Sequence, residues 1–147
     1  NHYNLLYREE EREMLPLCLH EGIGVIPWSP LARGLLARPR PPELDLKAGG
    51  TARAASDAYS PRLYDSAGDW DIVSAVERVA RQRGVTMAEV SLAWLLRRRG
   101  VTAPIVGATK PEHLDAAIRA LDLRLTDEEV AALEAEYRPH RVRGIDA

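Results

Sequence analysis

Two short stretches hold the residue types that could do chemistry on a ligand. The first is Gly24-Val25-Ile26-Pro27-Trp28-Ser29-Pro30-Leu31-Ala32-Arg33-Gly34-Leu35-Leu36. Val25 and Ile26 form an apolar run that reads as a buried strand, and Trp28 stands where that strand ends. In parallel α/β folds ligands bind at the carboxyl ends of strands, on the loops that leave them. A flat indole there can stack on a planar ligand. The Ser29 hydroxyl, the amides beyond it and the Arg33 cation suit a phosphate. The second stretch begins at Gly107, where a tight strand-to-helix turn offers amides, the Thr109 hydroxyl and the Lys110 cation to an anion. Each has a plainer alternative: Trp28 as a core ring, Thr109 as a helix cap, Lys110 as a solvated helix residue.

The elements that must position these residues alternate. His2 to Leu6 is a strand candidate. A helix is expected from near Glu13, so that Pro16 falls in its first turn, with Met14, Leu15, Leu17 and Cys18 available for burial and Gly22 as its stop. Val25 to Pro27 is the next strand. Residues 37–68 follow, with Pro39, Pro41, Pro42, Gly49 and Gly50 between short charged pieces, too long for an ordinary connection. This excursion is expected over the ligand face, with Arg53 and Tyr59 as contact candidates. Ile72, Val73, Val76, Val79 and Ala80 recur at helical spacing up to Gly84. Thr86-Met87-Ala88-Glu89 reads as a capping box opening a helix with Trp94 in the core. Val101 to Val106 is the last strand. Thr109 to Glu112 and Thr126 to Glu129 read as further capping boxes, the first before an apolar face of Leu114, Ala117, Ile118 and Leu121, the second before Val130, Leu133 and Tyr137. Strand–helix alternation argues for an α/β fold with parallel strands.

Composition bounds the rest. A chain of 147 residues, 46% apolar, has room for one ordinary core. No apolar run is long enough to span a membrane, and the amino terminus lacks a signal-peptide layout. One cysteine, Cys18, excludes an internal disulfide framework and fits a reducing compartment, so the cytoplasm is the default expectation. The net charge of −2 recruits no nucleic acid, and the cations are nearly all arginine, which a composition bias explains. Arg97-Arg98-Arg99 reads as the solvated end of a helix. No metal-ligand cluster, nucleophile elbow or Walker loop is visible.

Trp28-Ser29-Pro30-Leu31-Ala32-Arg33-Gly34-Leu35 resembles the seventh-strand segment of the aldo-keto reductases. Asn1 to Glu9 and Pro104 to Leu114 match two further motifs of that family in order and spacing. The resemblance implies a parallel (β/α)8 barrel of TIM type, of which residues 1–147 would be the carboxyl-terminal half: the last three strand–helix units plus a closing helix. It implies NADP(H) as cofactor and a small carbonyl compound as substrate. Trp28 then matches the ring that stacks on nicotinamide, and Ser29, Leu31, Ala32 and Arg33 match positions lining the pyrophosphate. Gly107, Thr109 and Lys110 suit the 2′-phosphate, and His113 matches a polar position at the adenosine end. Ala116 and Ala117 stand where many members carry adenine-binding Glu and Asn. The family's catalytic tyrosine, lysine, aspartate and histidine lie on earlier strands, so no catalytic residue is assigned and this chain alone is expected to be inactive. Its partner would be the amino-terminal half of the barrel, or further copies of itself. A non-catalytic NADP-binding relative is the alternative; a helix-turn-helix DNA-binding protein, built on residues 86–99 and 109–121, is a remote one.

Overall fold

The computed structural model describes residues 1–39, 63–64, 67–139 and 141–142. Residues 24–28 run extended between two parallel neighbours. On one side His2 bridges Trp28, and the Trp28 N–H donates to the Asn1 carbonyl at 2.9 Å. On the other side Val25 bridges Val101. There the N–H groups of Val25, Thr102 and Ile105 bond the carbonyls of Gly100, Val25 and Pro27 at 2.8–2.9 Å. The expected strands are therefore present as short parallel bridges. The first is shorter than the expected His2 to Leu6. Asn4 and Tyr7 exchange backbone hydrogen bonds at 3.1 Å, and Asn4 Oδ1 accepts from the N–H groups of Leu6 and Tyr7 at 2.9 and 3.0 Å. An asparagine that bonds the backbone two and three residues on makes a turn, and the strand ends there.

Helix α1 spans Met14–His20, with Pro16 in its first turn as expected. Gly22, at φ +69°, lets the Ile23 N–H reach back to the Cys18 carbonyl at 2.7 Å, the closing bond of a Schellman motif. Leu15 and Cys18 are buried, but Met14 and Leu17, expected with them, stand exposed. Two short 3-10 turns joined at Arg33 and Gly34 follow, over Ala32–Ala37. Ser91 fastens them to the interior by donating to the Leu36 carbonyl at 3.1 Å.

The core sits between α2 (Ala67–Arg83) and α3 (Met87–Leu96), around Val73, Val76, Leu92, Trp94 and Leu95. Helices α4 (Pro111–Arg119) and α5 (Asp127–Glu134) complete the order. Thr86 with Glu89 and Thr126 with Glu129 form reciprocal capping boxes. The box expected at Thr109 does not form. Lys110 is the cap residue and Pro111 occupies the first turn, so Glu112 falls one place short of the position that reaches back.

Two more expectations are overturned. Arg98 is not a solvated helix end: it lies over the Trp94 ring at 5.2 Å and bridges Glu134 at 2.8 Å and Glu11 at 3.3 Å. Arg8 covers the same indole at 5.6 Å and bonds Glu134 at 3.0 Å, while Trp94 Nε1 donates to Glu134 at 2.8 Å. Guanidinium groups stack on aromatic faces and pair with carboxylates in one geometry, which is why two arginines converge here. The second concerns α4. Its apolar stripe of Leu114 and Ile118, continued by Leu121, points outward, and it packs inward through Ala116 and Ala120. Small side chains let α4 approach α3 closely, and Arg119 Nε fixes it there by donating to Glu89 Oε1 at 2.5 Å. The extended, hydrogen-bonded residues 101–105 lie between α3 and α4, so the three- or four-residue turn of a helix-turn-helix is absent. Among the described residues no helix is long and apolar enough to cross a membrane.

Candidate functional site

Parallel pairing brings the loops after residues 1–4, 24–28 and 101–105 to one end of the bridges, the carboxyl end. The turn of Asn4 to Tyr7, the turn from Ser29 and the turn at Gly107 all leave from that end. This is where an α/β fold places a ligand.

Trp28 is half-buried, and one face of its indole lies on His2, with ring centroids 4.3 Å apart and planes 17° from parallel. Tyr7 stacks on His2 at 4.3 Å and 13°. The imidazole is thus sandwiched between two aromatic rings. Tyr64 closes the edge, its hydroxyl 2.5 Å from His2 Nε2, 2.9 Å from Asn4 Nδ2 and 3.4 Å from Ser29 Oγ. Asn4 Nδ2 also donates to the Ser29 carbonyl at 2.9 Å. Burial, helped by the positive charges of the amino terminus and Arg33, lowers the His2 pKa to about 4, so the ring is neutral near pH 7. Burial pushes the Tyr64 hydroxyl up to about 12.

The turn itself is strained. Ser29, Ala32 and Arg33 hold φ values of 54°, 47° and 56°, and Gly34 follows at 102°. Left-handed backbone at a non-glycine residue costs on the order of 1 kcal/mol or more and persists where the surroundings over-determine it. Here they do. The Ser29 carbonyl accepts from Asn4 Nδ2 and from the Ala32 N–H at 3.0 Å, and the Leu31 carbonyl accepts from Gly34 at 2.8 Å. Ala32 is fully buried, while Ser29, Leu31 and Arg33 are half-buried at the surface of the turn. Trp28, Ser29, Leu31, Ala32 and Arg33 thus lie together on one turn at the carboxyl end of the bridges.

Gly107, Thr109, Lys110 and His113 are exposed on the neighbouring turn, with Thr109 Oγ1 3.5 Å from His113 Nδ1. Ala116 is buried against the core and Ala117 half-buried. Arg53 and Tyr59 lie outside the described residues. Among the described residues no group of three or more His, Cys, Asp and Glu side chains could hold a metal ion. A cavity of about 320 Å³ between α3 and the link to α5, lined by Ala93, Leu96, Arg97 and Leu125 among others, includes none of the described candidate cofactor-binding residues.

Sequence reasoning missed Tyr64, and gave His2, Asn4 and Tyr7 no part in the site. Tyr64 lies 62 residues from His2 in the chain, inside a stretch without periodicity. For His2 and Asn4, the period-two pattern of a strand could have placed them on the same face, beside the Trp28 end of the neighbouring strand.

Residues 1–138 match the aldo/keto reductase family model. The chain belongs to that family. It is 44% identical over 144 residues to a Schizosaccharomyces pombe protein provisionally named an aryl-alcohol dehydrogenase, covering 98% of this chain and 39% of that protein. It is 40% identical over 145 residues to versiconal hemiacetal acetate reductase of Aspergillus parasiticus, covering 97% and 40%. Among solved structures, a thermostable aldo-keto reductase in complex with the inhibitor epalrestat superposes with a TM-score of 0.62 at 26% identity, over 92% of this chain and 38% of that one. This aldo/keto reductase chain thus spans about two fifths of the length of the relatives it matches.

Proposed function

We propose that the chain is the cofactor-binding part of an NADPH-dependent aldo-keto reductase acting on aldehydes or ketones, arranged as the last three strand–helix units of a (β/α)8 barrel with a closing helix. The observation that carries this reading is the strained turn and stacked indole at the carboxyl end of the parallel bridges. The residues fit the group. Trp28 has one face on His2 and remains half-buried, which suits a second planar ring. The turn of Ser29, Leu31, Ala32 and Arg33 would hold the pyrophosphate, Gly107, Thr109 and Lys110 the 2′-phosphate, and His113 the adenosine end. When bound, NADPH supplies a hydride to a carbonyl carbon.

Tyr3, Tyr64 and Tyr137 are poor candidates for the accompanying proton. A general acid works best with a pKa near the operating pH. Burial pushes Tyr3, Tyr64 and Tyr137 upward instead, and Glu11 and Glu9 raise Tyr3 and Tyr137 further by accepting hydrogen bonds from their hydroxyls. The acid would come from the part of the barrel that longer relatives carry. Exposed apolar side chains on the two flanks, Leu17 and Ile23 beside Met14, and Ile105 and Ile118 beside Leu114, suit contact with that part or with another copy of the chain.

Titration with NADPH and NADH, on this chain and on this chain joined to the amino-terminal part of a relative, tests the reading. Preferential binding of NADPH supports it. Absence of binding by either form would remove it.

A further inference from the structure

The hydrogen bonds around Trp28 fix one another's direction. Asn4 Oδ1 accepts two backbone N–H groups, which makes Nδ2 the donor end of that amide. Nδ2 donates to the Ser29 carbonyl and to Tyr64 Oη, both at 2.9 Å. Tyr64 Oη is thereby an acceptor from Asn4, and of the two groups its own hydrogen can reach, His2 Nε2 at 2.5 Å is the nearer and Ser29 Oγ at 3.4 Å the farther, so the hydrogen points to Nε2. Asn4 Nδ2, 3.4 Å from the same nitrogen, can also only donate. Nε2 therefore accepts, and the hydrogen of the neutral ring sits on Nδ1. That Nδ1–H is buried and has no partner among the described residues, in a side chain only 6% exposed. An unsatisfied buried donor costs about 1–3 kcal/mol. Nothing in packing alone requires that cost, since an apolar ring would stack between Tyr7 and Trp28 equally well.

From this geometry we infer that Asn4, Tyr64 and His2 form a relay that holds the Trp28 indole, and the Ser29 turn beside it, in the orientation that receives nicotinamide. The inference rests on the cofactor reading above and deepens it. Asn4 is the branch point: one hydrogen of its amide fixes the left-handed Ser29, the other reaches Tyr64. Tyr64 orients the imidazole in its plane, and the imidazole face sets the plane of the indole at 17°. Asn4, Tyr64 and His2 are positioning residues, acting through Trp28 rather than on the cofactor. They also tie Tyr64, near the end of the 37–68 excursion, directly to the cofactor platform.

The test uses Tyr64→Phe and His2→Phe, in this chain and in this chain joined to the amino-terminal part of a relative. Two ligands are compared: NADP⁺, and adenosine 2′,5′-bisphosphate, which lacks nicotinamide. Each variant should weaken NADP⁺ about fivefold, the scale of one hydrogen bond, and leave the bisphosphate within a factor of about two. The double variant should lose no more than either single one, because both break one relay. Equal losses for the two ligands, additive losses, or unchanged NADP⁺ affinity in folded variants would overturn the inference. Histidine ¹⁵N shifts give a readout independent of ligand. His2 should show the Nδ1–H form in the wild type and a mixture in Tyr64→Phe, and a wild-type Nε2–H form would overturn the relay. Failure of the wild type to bind either ligand would instead defeat the cofactor reading, while the shifts still decide the relay.

Discussion

Around Trp28 the side chains are buried and hydrogen-bonded to one another, whereas the turn at residues 107–113 stands in solvent. At the first, a neutral imidazole, a tyrosine and an asparagine hold the ring and its strained turn before any ligand arrives. Preorganisation of this kind lowers the cost of ordering on binding. At the second, Thr109, Lys110 and His113 offer charge and donors with little to hold them, so the recognition proposed there is electrostatic and screened by salt. The two ends of one proposed cofactor site thus divide the work: geometry at the nicotinamide end, charge at the phosphate end.

The comparison would break outright if this chain alone reduced carbonyl compounds. The expected outcome is no turnover with NADPH and a panel of reactive aldehydes and ketones. Activity that tracked with the purified chain, and was lost in Tyr3→Phe, Tyr7→Phe or Tyr64→Phe, would mean that an acid lies in the buried region after all.

Stability against pH sharpens the contrast next. Burial holds the His2 pKa at about 4 in the folded chain, against 6.5 for the free side chain. Between those values the unfolded chain binds the extra proton. Stability from this group is therefore complete above about pH 6.5, falls as the pH drops, and levels off below about 4, a loss on the order of 3 kcal/mol. Denaturant midpoints of wild type and His2→Phe between pH 7 and 4 measure it, and the variant should lose that part of the slope.

Lys110→Ala probes the exposed end. It should weaken NADPH by about 1–2 kcal/mol, the scale of a charge-assisted hydrogen bond, leave NADH nearly unchanged, and matter less as salt rises. Binding isotherms at two ionic strengths check this. Unchanged NADPH affinity would remove the role assigned to Lys110.

The smallest effect separates two threonines of similar local sequence. Thr86→Ala removes an observed cap and should cost about 1 kcal/mol of stability, while Thr109→Ala, at a position with no capping bond, should cost a few tenths. Thermal melts of the two variants give the comparison.

Much of the fold and part of the site were legible in the sequence for local reasons. The caps at Thr86 and Thr126, the proline in the first turn of α1 and the Gly22 stop are each set by a few neighbouring residues, and each formed. The Trp28 turn was legible as a motif. Thr109 misled because its pattern of residue types matches a cap, whereas Pro111 moves the helix start by one residue. The α4 stripe was legible as apolar, but amphipathicity does not name the partner, and Leu114 and Ile118 face outward. Tyr64 and Arg98 were illegible because their roles come from partners 62 and 87 residues away in the chain, which no local period encodes.

The central claim is that the Trp28 indole, placed at the carboxyl end of the parallel bridges, receives the nicotinamide of NADP(H). Fluorescence of wild type and Trp28→Tyr during NADP⁺ titration tests it most directly, because Trp70 and Trp94 lie in the core. In the chain joined to the amino-terminal part of a relative, quenching should accompany binding in the wild type. In Trp28→Tyr it should largely vanish, while the smaller ring still supports binding. Quenching that persisted undiminished in the variant would contradict the account.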